Sequence, residues 1–288
     1  MPDTHQSATT RPSIPDLTSD LIPDENGVYF SSHSAPRSYP SDGLECYRAV
    51  EEESFWFCQR NKTIASVARL FPPNGFILDV GGGNGFVSRG LEEAGFSTVL
   101  LEPDPVGAKN GKERGLPAVI CSTLEDAHFK NHSVSAIGSF DVLEHLPQPL
   151  ELLQEFRRVL VPDGRLYLTV PALRALWSNE DKIAGHHERY SVKTLASLLE
   201  QSGFEVDYAT YFFAYLPLPI FLLRSLPYRL GQPVPQQVSQ VESVRYHKTF
   251  ASWIRPVLGL FHGMEMAFIQ RQWRIPTGSS IIITARAK

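Results

Sequence analysis

One passage constrains this chain more than any other: a short apolar stretch at 76–80 that runs into a glycine-dense turn and then into a helical repeat. Phe76, Ile77 and Leu78 lead to Asp79-Val80-Gly81-Gly82-Gly83-Asn84-Gly85, and residues 86–94 then carry apolar side chains at helical spacing up to Gly95. A brief apolar run bounded by glycine predicts a buried strand, and the glycine at 95 predicts a helix stop. Glycine at 81, 83 and 85 lets backbone approach a ligand without a Cβ in the way. Such a loop stands at the carboxyl end of a strand, where open α/β sheets bind ligands.

The same alternation continues along the chain. Residues 98–101, 118–121, 135–140, 165–170, 204–211 and 280–285 read as strands, and 55–71, 105–114, 150–160 and 191–201 as helices, several of them ended by Pro or Gly. Strands and helices in turn predict an α/β fold with a mainly parallel sheet and helices on both faces. The rhythm breaks at about 212–278, where two apolar helical segments replace a simple connection, so a helical cap inserted at about 213–275 is expected before the last strand. Residues 1–45 are rich in Ser, Thr, Pro and Asp and predict a flexible or loosely docked arm, leaving 46–288 as the folded domain.

Charge and cysteines exclude several classes. With 27 basic against 31 acidic side chains the net charge is -4, which argues against nucleic acid as a partner. The three cysteines, Cys46, Cys58 and Cys121, form no C-x-x-C pair, which fits a reducing cytoplasm and neither a zinc ribbon nor a disulfide framework. The first residues lack a basic and apolar leader pattern. The most apolar run, 211–223, is interrupted by Pro217 and Pro219 and falls short of the ~20 residues a membrane-crossing helix needs. Residues 211–226 therefore suit a peripheral membrane contact at most.

The ligand of the glycine loop follows from its spacing. Gly81 and Gly83 match the first two glycines of a dinucleotide fingerprint, but Phe86 stands where the third belongs, which counts against a nicotinamide-dependent oxidoreductase. Glu102 ends the second strand 19 positions after Gly83, placed to meet both hydroxyls of a ribose. Strand, loop, helix and acid together point to an adenosyl ligand. Residues 77–85 resemble the first motif of class I S-adenosylmethionine-dependent methyltransferases, a resemblance that covers roughly 50–285. It implies a Rossmann-like sheet of seven strands with an antiparallel strand at the carboxyl end, S-adenosyl-L-methionine as cofactor and S-adenosyl-L-homocysteine as product. It further implies that Gly81, Gly83 and Gly85 lie under the methionine part, that Asp79 stands near its amino group and that Glu102 binds the ribose. The segment 121–126 resembles the adenine side, with Thr123 and the Leu124 backbone as contacts. Phe140-Asp141-Val142-Leu143-Glu144-His145 resembles the segment after the fourth strand, so Phe140 and Asp141 are expected to line the methionine and sulfonium side.

The acceptor side is expected at the same sheet edge. His145 follows the fourth strand and is either a catalytic base or a helix cap. After the fifth strand, Trp177, Asp181, His186, His187, Arg189 and Tyr190 crowd one polar loop, similar to a W-S-x-x-D-x-x-x-G-H-x-x-R-Y segment of a bacterial subgroup. That loop suggests His186 and Tyr190 as acceptor-side catalytic groups, or a salt-bridged lid with Asp181 paired to Arg189. No metal is expected at His186, His187 and Glu188, because adjacent side chains diverge and no H-x-x-x-H spacing supports them. The readings are thus a methyltransferase acting on a small molecule, hydrophobic or attached to lipid or glycan, against an oxidoreductase or a non-catalytic member that only binds the cofactor.

Overall fold

In a computed structural model, which describes residues 11–18, 20–31, 41–231 and 255–288, the strand at Ile77–Val80 is the centre of the sheet. Its residues alternate between faces as a strand's period of two requires: Leu78 and Val80 join one apolar core, Ile77 the other. In chain order the elements are α1 (Ile14–Leu17), β1 (Leu21–Pro23), β2 (Val28–Ser31), α2 (Ser41–Glu51), α3 (Phe55–Leu70), β3 (Ile77–Val80), α4 (Phe86–Glu93), β4 (Thr98–Leu101), α5 (Pro105–Glu113) and β5 (Val119–Cys121). They continue with β6 (Val134–Phe140), α6 (Pro149–Val159), β7 (Leu160–Pro171), α7 (Asn179–Ile183), α8 (Val192–Gln201), β8 (Phe204–Phe212), α9 (Pro217–Ile220), α10 (Leu226–Arg229), α11 (Arg255–Gln270) and β9 (Ser280–Ala287).

The strand order is β1-β2-β5-β4-β3-β6-β7-β9-β8. Pairs among β2 to β7 are parallel, while β9 runs antiparallel between β7 and β8. From β3 the chain steps outward to β4 and β5, then returns to β6 on the opposite side. The loops after β3 and β6 therefore flank the reversal point where open α/β sheets take ligands. One core holds α1, α6 and α8 against the sheet; the other holds α3, α4 and α11.

Among the described residues the sheet has nine strands rather than the seven expected, and the two extra ones come from the segment expected to be a flexible or loosely docked arm. β2 pairs with β5, Val28 is buried, and Ile14 and Leu17 enter the core, while the Thr18 hydroxyl donates to the Ala127 carbonyl at 2.5 Å. These strands are three and four residues long among polar neighbours, too short to show a period. The described part of 1–45 is thus docked, and 1–10 and 32–40 lie outside the described residues.

The insertion divides. α9, one π-turn at Phe221–Ser225 and α10 form a continuous helical stretch, whose widened turn lies just ahead of Pro227, a residue with no N–H to give. α11 packs on α3 instead, with the Thr63 hydroxyl 3.6 Å from Met266 Sδ. The apolar pattern expected to start at Trp253 and Ile254 falls partly outside the described residues.

Candidate active site

The glycine loop is built from three glycines that do different work. Gly81, Gly83 and Gly85 all have left-handed backbone, with φ of +70°, +55° and +71°. A Cβ on Gly85 would lie 2.6 Å from Leu116 and 3.1 Å from the Gly111 Cα, and one on Gly81 would lie 2.8 Å from Val142. Those two glycines let the loop pack against α5 and against the segment after β6. Among the described residues, a Cβ on Gly83 would meet Leu44 alone, at 3.6 Å, so that glycine leaves a hollow under α2. Asn84 holds α2 and α5 to the loop: its Nδ2 donates to the Leu44 carbonyl at 2.8 Å, and its Oδ1 accepts from Asn110 at 2.9 Å. Arg114 closes the clamp with a 2.6 Å ion pair to the buried Glu51.

Glu102 stands directly behind Gly83. One carboxylate oxygen accepts the Gly83 N–H at 2.8 Å, the other the Asp104 N–H at 2.9 Å. A carboxylate has about four lone-pair sites, so two remain for further donors. Burial pushes this group up to about 7, against the lowering effect of those two N–H bonds. Asp79 is fully buried; its Oδ2 accepts from the Ser88 hydroxyl at 2.6 Å, while its Oδ1 has no partner, and burial raises it to about 6. Among the described residues Asp104 Oδ2 and Ser122 Oγ are likewise buried without partners, one after β4 and one after β5. Two carboxylate acceptors and a hydroxyl without partners along one sheet edge fit a polar ligand.

After β5, the Thr123 hydroxyl accepts the Asp126 N–H at 3.1 Å, and the Leu124 side chain is buried in the core, leaving its backbone alone for a ligand. After β6, Phe140 packs into the core and Asp141 adopts φ +60°. Asp141 receives the guanidinium of Arg60 and, at 3.2 Å, the Thr169 hydroxyl. Arg60 itself lies over the rings of Trp56 and Phe57, 5.0 and 5.7 Å from their centroids. Arg60 is not singled out by the sequence; its one signal is an arginine on the face of α3 that also carries Ile64, Val67 and Ala68.

The loop after β7 is locked to the segment after β6. The His187 N–H donates to the Glu144 carbonyl at 2.6 Å, and the His145 and His186 rings meet edge to face with centroids 4.9 Å apart. Asp181, with a fully buried side chain, accepts from the Ser178 N–H at 2.9 Å, contacts His186 Nδ1 at 2.9 Å and pairs with Arg189 Nε at 2.7 Å. The Asp181–Arg189 pair expected of a salt-bridged lid is therefore present. Burial acts to raise Asp181, but the His186 and Arg189 contacts outweigh it and hold the carboxyl below its ordinary value. His145 is drawn down to about 4, first by burial and then by His186.

Tyr190, expected beside His186 on the acceptor side, is buried in the core, and its hydroxyl donates to the Leu143 carbonyl at 3.4 Å. Its N–H donates to the Pro171 carbonyl and its own carbonyl accepts the Leu173 N–H, so it pins the loop to the end of β7.

Beside this loop lies a cleft of about 760 Å³, lined by Arg174, Trp177, His187, Glu188, Arg189 and Arg229. The stretch from α9 to α10 borders it: Arg229 donates to the Ala175 carbonyl at 3.0 Å, and Lys182 lies 4.9 Å from the centre of the Tyr228 ring. Within 211–226, Phe212 and Phe213 are core residues, whereas Leu218, Leu222 and Leu223 are exposed. No helix among the described residues is long and apolar enough to cross a membrane.

The profile of a family described as a methyltransferase domain matches residues 56–209, more than half of the chain. The ubiquinone biosynthesis O-methyltransferase of Actinobacillus pleuropneumoniae (strain L20) is 32% identical over 103 residues, 32% of this chain and 44% of that protein. An uncharacterized methyltransferase of Mycobacterium tuberculosis is 35% identical over 102 residues, 34% of this chain and 40% of that protein. The chain thus spans less than half the length of the curated relatives it matches. Among solved structures, phosphoethanolamine N-methyltransferase 2 of Haemonchus contortus with S-adenosyl-L-methionine has a TM-score of 0.52 at 16% identity, covering 90% of this chain and 61% of that one. A chain from the complex of the Haloferax volcanii Trm112 methyltransferase activator with its methyltransferase has a TM-score of 0.53 at 16% identity, covering 85% and 96%.

Proposed function

The chain belongs to the methyltransferase domain family, and from that premise we propose that it transfers a methyl group from S-adenosyl-L-methionine to a small-molecule acceptor, leaving S-adenosyl-L-homocysteine. Family membership decides against the nicotinamide-dependent reading. The observation that carries the proposal is the buried Glu102 carboxylate behind Gly83, with two lone-pair sites left for the ribose hydroxyls. Asp79 Oδ1, the orphaned acceptor of β3, would take the amino group, and the Gly83 hollow would admit the methionine backbone. Arg60 holds Asp141 in its left-handed turn on the sulfonium side. Thr123 and Leu124 would meet the adenine.

The cofactor supplies an electrophilic methyl carbon. What remains for the protein is orientation, which contributes ~7–11 kcal/mol in well-aligned displacements. The acceptor would enter by the cleft beside His187. Arg174 and Arg229 on its wall favour an acceptor carrying negative charge, and Trp177 favours one with an apolar body. His186, oriented by Asp181, is the better proton acceptor for a hydroxyl, because His145 is too weak a base. Labelled cofactor incubated with cell extract should yield a labelled small molecule; label confined to protein or nucleic acid would overturn the acceptor class.

The Glu102 assignment has a pH signature. Ribose hydroxyls donate to an ionised carboxylate, and this one takes a proton near pH 7. Affinity for S-adenosyl-L-homocysteine should therefore be greatest above pH 7 and fall below it, by up to about tenfold per pH unit, since binding must expel one proton. Calorimetry from pH 8 to 5.5 should show this slope, and Glu102→Gln should lose affinity at pH 8 and flatten the dependence. The same slope in both proteins would remove Glu102 from the ribose.

Leu218, Leu222 and Leu223 support peripheral contact with a lipid surface through the stretch ahead of α10, with Arg224 and Arg229 beside them for anionic headgroups. The wild-type chain should float with anionic vesicles, and Leu222→Glu/Leu223→Glu should not; equal flotation would sink this contact.

A further inference from the structure

We propose that Glu144, His145 and His186 form a binding site for a divalent transition-metal cation. The set was invisible to spacing rules, because its members come from two segments joined only by the fold: 144–145 after β6, and 186 in the loop after β7. One ligand atom from each lies within 4.8 Å of the other two. Oxygen and nitrogen ligands around a cation at about 2.1 Å are up to about 4.2 Å apart, so small rotamer changes close the set.

Two further observations point to a cation. The Glu144 side chain is buried, 1% exposed, and its Oε2 has no partner among the described residues. A buried carboxylate oxygen without a donor is an expensive feature that a metal would satisfy. Both imidazoles are also already oriented from behind. His186 Nδ1 contacts the buried Asp181 carboxylate at 2.9 Å, which leaves Nε2 to coordinate, and the His145 ring is bonded to the Gly185 backbone. Metal-binding histidines characteristically use their second nitrogen in this way.

Two imidazoles and one carboxylate suit zinc, iron(II) or manganese(II) rather than calcium, and a three-ligand set leaves positions for a water or an acceptor oxygen. With a cation bound, His186 would be a ligand instead of the proton acceptor proposed above, and the cation would supply Lewis-acid polarisation to an oxygen ligand. The inference goes beyond the methyltransferase reading and does not need it, since its readout is cation binding.

The test uses the full chain without a histidine tag, stripped with chelator and titrated calorimetrically with Zn²⁺ and separately with Mn²⁺. Circular dichroism and the melting temperature of each metal-free variant serve as the control for an intact fold. One cation per chain should bind, at micromolar concentration or tighter for Zn²⁺. Glu144→Gln and His186→Ala should each weaken binding by a hundredfold or more, and Asp181→Asn by about 10–100-fold through its support of His186. His187→Ala, which alters the exposed neighbouring histidine, should bind as the wild type does. If Glu144→Gln fails to fold, His186→Ala, on a partly exposed side chain, still decides the matter. Absence of stoichiometric binding by either metal, or binding that survives His186→Ala or is lost in His187→Ala, would overturn the site.

Discussion

Gly83→Val is expected to reduce affinity for S-adenosyl-L-homocysteine by at least a hundredfold while the protein stays folded, and Gly85→Ala is expected to do the reverse. The two positions share a left-handed backbone, with φ of +55° and +71°, so either substitution carries a strain of about 1–2 kcal/mol. What separates them is the space a side chain would meet. At Gly83 the Cβ points into the hollow beneath Leu44, 3.6 Å from its nearest neighbour, and the valine methyls would fill the volume proposed for the methionine backbone. At Gly85 the Cβ would collide with Leu116 at 2.6 Å and with the Gly111 backbone at 3.1 Å, forcing α4 and α5 apart. Overpacking of that kind adds roughly 1–3 kcal/mol to the strain. Thermal denaturation should place Gly85→Ala well below Gly83→Val, and calorimetry should find measurable ligand binding in Gly85→Ala below its melting temperature. Tight binding by folded Gly83→Val would remove the hollow from the cofactor site.

This contrast also marks what was legible in the amino-acid order. The loop, its strand and Glu102 could be read because they lie within 26 consecutive residues, 77–102, and because their backbone requirement selects glycine. The alternation of strands and helices was readable for the same local reason. Three features were not. β1 and β2 are stabilised by an edge that β5 offers them, not by their own periodicity. The Arg60–Asp141 pair joins residues 81 positions apart, and nothing near either residue announces the other. Tyr190 sits among polar neighbours that predict exposure, yet its ring is in the core because the loop folds back along β7. The cluster of Glu144, His145 and His186 belongs to this group. Its chemistry is created by the contact of two loops, and the readable motif, His186-His187-Glu188, supplied only one of its three members.

Asp181→Ala should have the largest effect on stability of any change in the acceptor loop, because one buried carboxylate organises all of it. Its oxygens accept the Ser178 N–H that starts α7, orient His186 and neutralise Arg189, whose side chain is only 11% exposed. Removing one partner of a buried ion pair leaves the other charge desolvated and alone, at about 3–5 kcal/mol. For a domain of this size that corresponds to a fall in melting temperature of roughly 10 °C. The alternative is that the loop opens locally, in which case hydrogen exchange should rise across 173–190 while the melting temperature changes little. Both outcomes place Asp181 as the loop's anchor; protection and melting temperature both unchanged would refute it. The pH dependence carries a sign as well. The folded carboxyl is held below its ordinary value of 3.8, so its stabilisation is complete above that pH and lost as pH falls through the lower, folded value. The difference between wild type and Asp181→Ala should therefore be steady from neutrality to about pH 4 and shrink only below it. Cofactor affinity should stay within about threefold, because no contact of Asp181 reaches the glycine loop or Glu102. A larger loss would mean that the two loops at this sheet edge are coupled more tightly than their hydrogen bonds convey.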